Sequence, residues 1–184
     1  MVDFTVLEDQ VRECFGRCVY THKTHEKMAD RCADTLRWYK MAQIATSVIS
    51  AAGASLAVFL PGCGLKVVAA LSAIASAWIS IYMKSFDPGG TAQKHRDAAA
   101  SIWPIRESYL SLLTDLRMKR ITDDEGAKRR DDLQAELAAI YKGAPQTNGK
   151  AYSAAQTALK KYEDYTFSDA EIDAFVPAGL KKGS

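Results

Sequence analysis

Apolar and polar positions fall into blocks along this chain, and two of the blocks carry no Asp, Glu, Lys or Arg at all. They are residues 41–60 and 67–83. At about 1.5 Å of rise per residue, a helix of roughly 20 residues spans about 30 Å, the hydrocarbon thickness of a bilayer. The second block falls slightly short of that. Between them stands Pro61-Gly62-Cys63-Gly64-Leu65-Lys66, too short a connection for anything but an antiparallel return. The pattern predicts a transmembrane helical hairpin with both flanks on one side.

The flanks read as helices too. Phe4, Leu7, Val11, Cys14, Cys18, Thr21, His25, Met28, Cys32, Thr35 and Tyr39 recur with alternating steps of three and four, a helical seam that runs into the first apolar block without a break. Asp87-Pro88-Gly89-Gly90 interrupts the chain after the second block. A helix over about 91–119 follows, with its own seam of Ala98, Ile102, Ile105, Tyr109, Leu112 and Leu116 and a kink expected at Trp103-Pro104. Thr122-Asp123-Asp124-Glu125 is a capping box. It opens a helix carrying Leu133, Leu137, Ile140 and Tyr141 that ends near Gly143. A further helix over about 147–165 and a short turn capped by Ser168 and Glu171, stopped by Pro177, complete the pattern.

No strand-like alternation is present, so the expected fold is all-α: a two-helix hairpin, about 41–60 and 67–83, continuous with a cytoplasmic helical bundle. The division expected is an N-terminal cytoplasmic helix 1–40, the hairpin 41–83, and C-terminal cytoplasmic helices 84–184 packing on the first.

Charge gives the hairpin a direction. Arg31, Arg37 and Lys40 precede it and Lys84, Lys94, His95 and Arg96 follow it, while the connection holds only Lys66. By the positive-inside rule both termini face the cytoplasm. Trp38, Tyr39, Trp78 and Tyr82 lie where an aromatic belt would sit at that interface. The competing reading is a hairpin buried in a soluble bundle that inserts conditionally. The opening residues Met1-Val2-Asp3-Phe4 lack a basic and an apolar region, so the first block is expected to act as an uncleaved anchor. A formal net charge of +2 over 184 residues gives no reason to expect nucleic acid.

Catalytic chemistry is sparse. Cys14, Cys18, His22 and His25 share one helical face, but Cys14 and His25 are about 16 Å apart along the axis, too far for one tetrahedral ion. No metal or other cofactor is expected. Cys63 falls in the expected connection and is read as a loop residue. There is no phosphate-binding Lys-Ser/Thr loop and no nucleophile elbow, so an enzyme is not expected. What the hairpin offers instead is hydroxyls at helical spacing. Ser72, Ser76 and Ser80 form a stripe flanked by alanines, and Ser47, Ser50 and Gly53 lie on the first helix. Lipid-facing helices do not need such residues, whereas close helix packing and water-filled pores both use them. These six are the pore-lining or helix-packing candidates.

Trp38-Tyr39 before the hairpin, Lys94-His95-Arg96-Asp97-Ala98-Ala99-Ala100 after it, Ala151-Tyr152, and Phe167-Ser168-Asp169-Ala170-Glu171-Ile172-Asp173 near the end together resemble the SLATT family of two-transmembrane effector domains in bacterial conflict systems. The resemblance implies a homo-oligomeric membrane effector of an antiphage system, forming a pore that permeabilises or depolarises the inner membrane on activation. It implies no catalytic residues. A nucleotide second messenger or a neighbouring sensor protein would supply the signal, and Lys94, His95 and Arg96 become candidates for the cytoplasmic mouth or for signal contact. The alternative is a membrane-anchored helical scaffold without pore activity.

Overall fold

The computed structural model describes residues 5–60 and 62–182, so the seam position Phe4 and the connecting residue Pro61 lie outside the described residues. Among those residues the chain is all-α, with no strand.

Helix α1, Val6–Phe59, is unbroken over 54 residues, a rod of about 80 Å. Thr5 starts it: its hydroxyl accepts the Glu8 N–H at 3.2 Å while the Glu8 carboxylate accepts the Thr5 N–H at 2.7 Å, satisfying two amides that a helix start leaves without partners. Helix α2, Cys63–Phe86, returns antiparallel. Gly62 takes φ 152° in the turn, a backbone open to glycine and strained for other residues. The connection is shorter than expected, and Cys63 is the first residue of α2 rather than a loop residue. Nothing in Cys63–Lys66 opposes helical backbone strongly, since one glycine costs only about 1 kcal/mol.

Asp87 alone separates α2 from α3, Pro88–Arg117. It adopts the left-handed region at φ 37°, and its carboxylate accepts the Gly90 N–H at 2.9 Å. Aspartate tolerates this backbone because its short side chain bonds locally. Pro88 then serves as the first helical residue, where its missing N–H is no loss, so α3 starts earlier than about residue 91. It continues through Pro104. Helices α4, Asp123–Gly143, and α6, Asp169–Phe175, start at the capping boxes of Thr122 with Glu125 and Ser168 with Glu171. Between them α5, Gly149–Lys161, is capped by Asn148, and a 3₁₀ turn, Ala178–Leu180, follows α6.

The lower part of α1 and α3 form two antiparallel arms. Glu8 meets Arg117, His22 meets Arg106, His25 meets His95, and Leu36 meets Gly89 in register order. Far from the hairpin the core is apolar. Val11, Cys14 and Cys18 pack with Ile102, Ile105, Tyr109, Leu112 and Leu116, and Leu133, Leu137 and Ile140 of α4 close over them. Each large side chain buried there contributes about 1.5–3 kcal/mol. At Gly126 an added Cβ would stand 2.7 Å from Leu116, so a side chain would push the start of α4 off the arms.

The buried stripe of α1 departs from the expected seam. After Cys18 it passes to His22, His25 and Ala29, while Thr21 and Met28 are only half-buried. A straight helix turns every 3.6 residues, and a 3.5-residue seam drifts by about 20° every two turns unless the helices supercoil.

Candidate functional site

In the hairpin a row of polar side chains runs along the α1–α2 contact, with Ser47 exposed at its edge. Gln43 donates to the Ser80 hydroxyl at 2.7 Å, the Ser47 and Ser76 hydroxyls stand 2.9 Å apart, and Ser50 donates to the Ala69 carbonyl at 3.0 Å. Ser80 also donates to the Ser76 carbonyl at 2.9 Å. Ser72 is half-buried on the same stripe. Gly53 permits the closest approach, since a Cβ there would meet the Ala69 Cβ at 3.2 Å. Ser47, Ser50, Gly53, Ser76 and Ser80 thus meet the facing helix, with Ser72 beside them.

Opposite this seam, Val48, Phe59, Leu71 and Trp78 point away from the protein. Only 6% of the most apolar stretch in either long helix is buried in the fold. A hairpin at the centre of a soluble bundle would be mostly buried. Here the apolar surface faces outward along both spans, the arrangement lipid requires. At the end toward the arms, the Tyr39 and Tyr82 ring centroids stand 4.5 Å apart, with Phe86 4.6 Å beyond and Trp38 exposed beside them.

Below the hairpin all three histidines of the chain are buried between the arms. His25 Nδ1 and His95 Nδ1 lie 2.9 Å apart, which requires one nitrogen to carry the proton and the other to accept it. Burial, with His95 and His22 nearby, pushes the His25 pKa down to about 4. Burial also lowers that of His95. His22 sits in a charged cluster with Glu26, Lys23, Arg106 and Tyr165. Burial lowers its pKa against the pull of Glu26, helped by Arg106 and Lys23. Burial drives the Cys18 thiol up to about 11, which makes it an inert core residue.

Of the signal-contact candidates, Lys94 and Arg96 are exposed and His95 is 1% exposed, pointing into the arms rather than toward solvent. The alternation is helical: three consecutive residues cannot share a face. Arg96 lines a cleft of about 630 Å³ with His22, Glu26, Asp30 and Trp103. Among the described residues no group of three or more His, Cys, Asp or Glu side chains can hold a metal ion. The charged cluster around His22 was not recognised in the sequence. Its local traces are the spacings of His22 and Lys23 to Glu26, while Tyr165 and Arg106 come from distant elements.

A family model described as SMODS and SLOG-associating 2TM effector domain family 4 matches residues 7–171. The chain belongs to this SLATT family. The match takes in the arms, the hairpin and the C-terminal helices through the start of α6. Comparisons with curated proteins and with solved structures returned no match. As a two-transmembrane effector domain, the SLATT chain is a membrane effector of conflict systems, and it has two helices long and apolar enough to cross a membrane.

Proposed function

We propose that this SLATT chain is a homo-oligomeric pore-forming effector of an antiphage system that permeabilises or depolarises the bacterial inner membrane on activation. The observation that carries the reading is the row of Gln43, Ser47, Ser50, Ser76 and Ser80 along the α1–α2 contact, with Ser47 exposed at its edge and apolar side chains on the opposite faces. A purely anchoring hairpin has no need of so many hydroxyls at membrane depth. Two helices enclose no conduit, so several hairpins must assemble, and their serines would exchange partners within one hairpin for water in a shared lumen.

The arms and C-terminal helices lie in the cytoplasm under this reading, as the basic flanks favour. Residues 1–40 and 84–184 then form one bundle that controls the hairpin. The signal would be a nucleotide second messenger or a neighbouring sensor protein, in keeping with a family described as associating with SMODS and SLOG. Exposed Lys94 and Arg96 are the surface candidates for contact with it, and no enzymatic step is assigned.

The scaffold reading has its own support, because the seam hydroxyls are already bonded within one hairpin. Membrane potential and dye entry in bacteria expressing the chain with its neighbouring genes decide between them. Depolarisation on triggering that disappears when Ser72, Ser76 and Ser80 are replaced by leucine, with membrane insertion retained, supports the pore. An intact potential in triggered cells with the protein in the membrane favours the scaffold.

A further inference from the structure

Residues 162–182 lie almost wholly in solvent. Among those whose side chains are described, Tyr165, Asp173 and Val176 alone are half-buried. Asp164 and Tyr165 join this segment to the arms. The Tyr165 hydroxyl donates to Glu26 Oε2 at 2.7 Å and stands 2.8 Å from His22 Nδ1. Two cations lie over its ring, Lys23 Nζ at 4.6 Å from the centroid and Arg106 Cζ at 4.7 Å. Asp164 pairs with Lys23 at 2.9 Å, and Lys23 pairs with Glu26 at 3.0 Å. His22, Lys23 and Glu26 belong to α1 and Arg106 to α3, so one tyrosine ring bridges both arms.

The bridge sits at the hairpin-side edge of the well-packed part of the arms. Away from the hairpin they are joined by Ile102, Ile105, Tyr109 and Leu116. Over residues 27–40 and 88–99, toward the hairpin, the buried residues are Ala29, Pro88, Ala92, His95, Ala98 and Ala99, with His95 paired to His25. Alanine buries little apolar area, so this half separates at less cost than the other. The arms continue directly into the spans, α1 without interruption and α3 through Asp87 alone. Just before the bridge, Glu163 holds a left-handed backbone at φ 52°. A non-glycine residue stays there only when its surroundings compensate.

We propose that residues 162–182 are an autoinhibitory latch, whose Asp164 and Tyr165 clamp the two arms and hold the hairpin at rest. Buried Lys23 keeps its charge in the clamp: burial works against it, but Asp164 and Glu26 outweigh that and raise its pKa. Removing the latch leaves Lys23, His22 and Arg106 without their cover, and water entering around them loosens the membrane-proximal half. The gating part of this proposal rests on the pore reading above, whereas the clamping part does not.

The test uses the full chain with Asp164→Ala and Tyr165→Ala together, and separately Tyr165→Phe, which keeps the ring and loses the hydroxyl bonds. Amide hydrogen exchange in detergent reads the clamp, and membrane potential in cells reads the gate. Expected is exchange about tenfold faster over residues 22–30 and 163–175 in the double variant, a smaller rise in Tyr165→Phe, and unchanged protection over 11–18 and 109–116. The double variant should also depolarise cells without the trigger. Unchanged exchange over 22–30 overturns the clamp, and acceleration spread evenly over the bundle overturns it in favour of plain destabilisation. Local loosening with no untriggered depolarisation, in cells where triggered wild type depolarises, overturns the gate and leaves the pore standing. If triggered wild type never depolarises, the pore reading and the gate fail together while the exchange result still decides the clamp.

Discussion

His25 and His95 share a single hydrogen bond of 2.9 Å between their Nδ1 atoms, one from each arm, with 3% and 1% of their surfaces exposed. One proton fits between them and two do not. The pair therefore fixes the register of the arms only while it is neutral or singly protonated.

The sign of the resulting pH dependence follows from burial. Both folded-state pKa values lie below the usual 6.5, that of His25 at about 4. His25 faces His95 and His22, which oppose its charging, and burial alone lowers His95. Between pH 6.5 and about 4 the unfolded chain therefore binds protons that the folded chain refuses. Stability is full above pH 6.5 and falls by up to about 1.4 kcal/mol per pH unit per histidine on acidification. Thermal unfolding in detergent, followed by circular dichroism from pH 7.5 to 4.5, should show a falling midpoint. His25→Ala with His95→Ala should flatten that fall, and a pH dependence equal to wild type would place its origin elsewhere.

Within the hairpin, the Ser47–Ser76 contact at 2.9 Å predicts a measurable coupling. Ser47→Ala and Ser76→Ala should each destabilise, and the double variant should cost less than their sum by about 0.5–1.5 kcal/mol. A double-mutant cycle on unfolding in detergent measures this. Zero coupling would mean that water, not the partner serine, satisfies these hydroxyls.

Gly53 lets α1 and α2 approach, with space for a Cβ only 3.2 Å from that of Ala69. Gly53→Leu should part the helices at that level and cost about 1–3 kcal/mol, with Gly53→Ala much milder. Distance measurement between spin labels on the two spans checks the separation. Equal distances in wild type and Gly53→Leu would count against this packing.

Tyr109 is fully buried, and beyond the weakly bonding Cys14 thiol its hydroxyl meets no hydrogen-bond partner among the described residues. Burial, with the Cys14 and Cys18 thiols adding to it, drives its pKa upward. Removing so weakly bonded a hydroxyl relieves a desolvation cost, so Tyr109→Phe should be neutral or stabilising by up to about 1 kcal/mol. A denaturation midpoint clearly below wild type would show that the hydroxyl has a strong partner after all.

The sequence by itself determined the helices and much of their punctuation. Uncharged blocks long enough to span lipid, capping boxes at Thr122 and Ser168, and the apolar spacing from Ala98 to Leu116 are local patterns, and local patterns carry their own meaning. The serine stripe was legible for the same reason. Tertiary structure decided what no single helix contains. It turned the stripes of α1 and α2 toward each other, buried His95 while leaving Lys94 and Arg96 outside, and moved the contact face of α1 from Thr21 to His22. It also brought Tyr165 to Glu26 across 139 positions of chain. Periodicity reports which residues share a face, but the partner of that face depends on how separate helices are rotated and placed. Only the folded chain supplies that rotation, because packing at 3.6 residues per turn selects among faces that a 3.5-residue pattern leaves nearly equivalent.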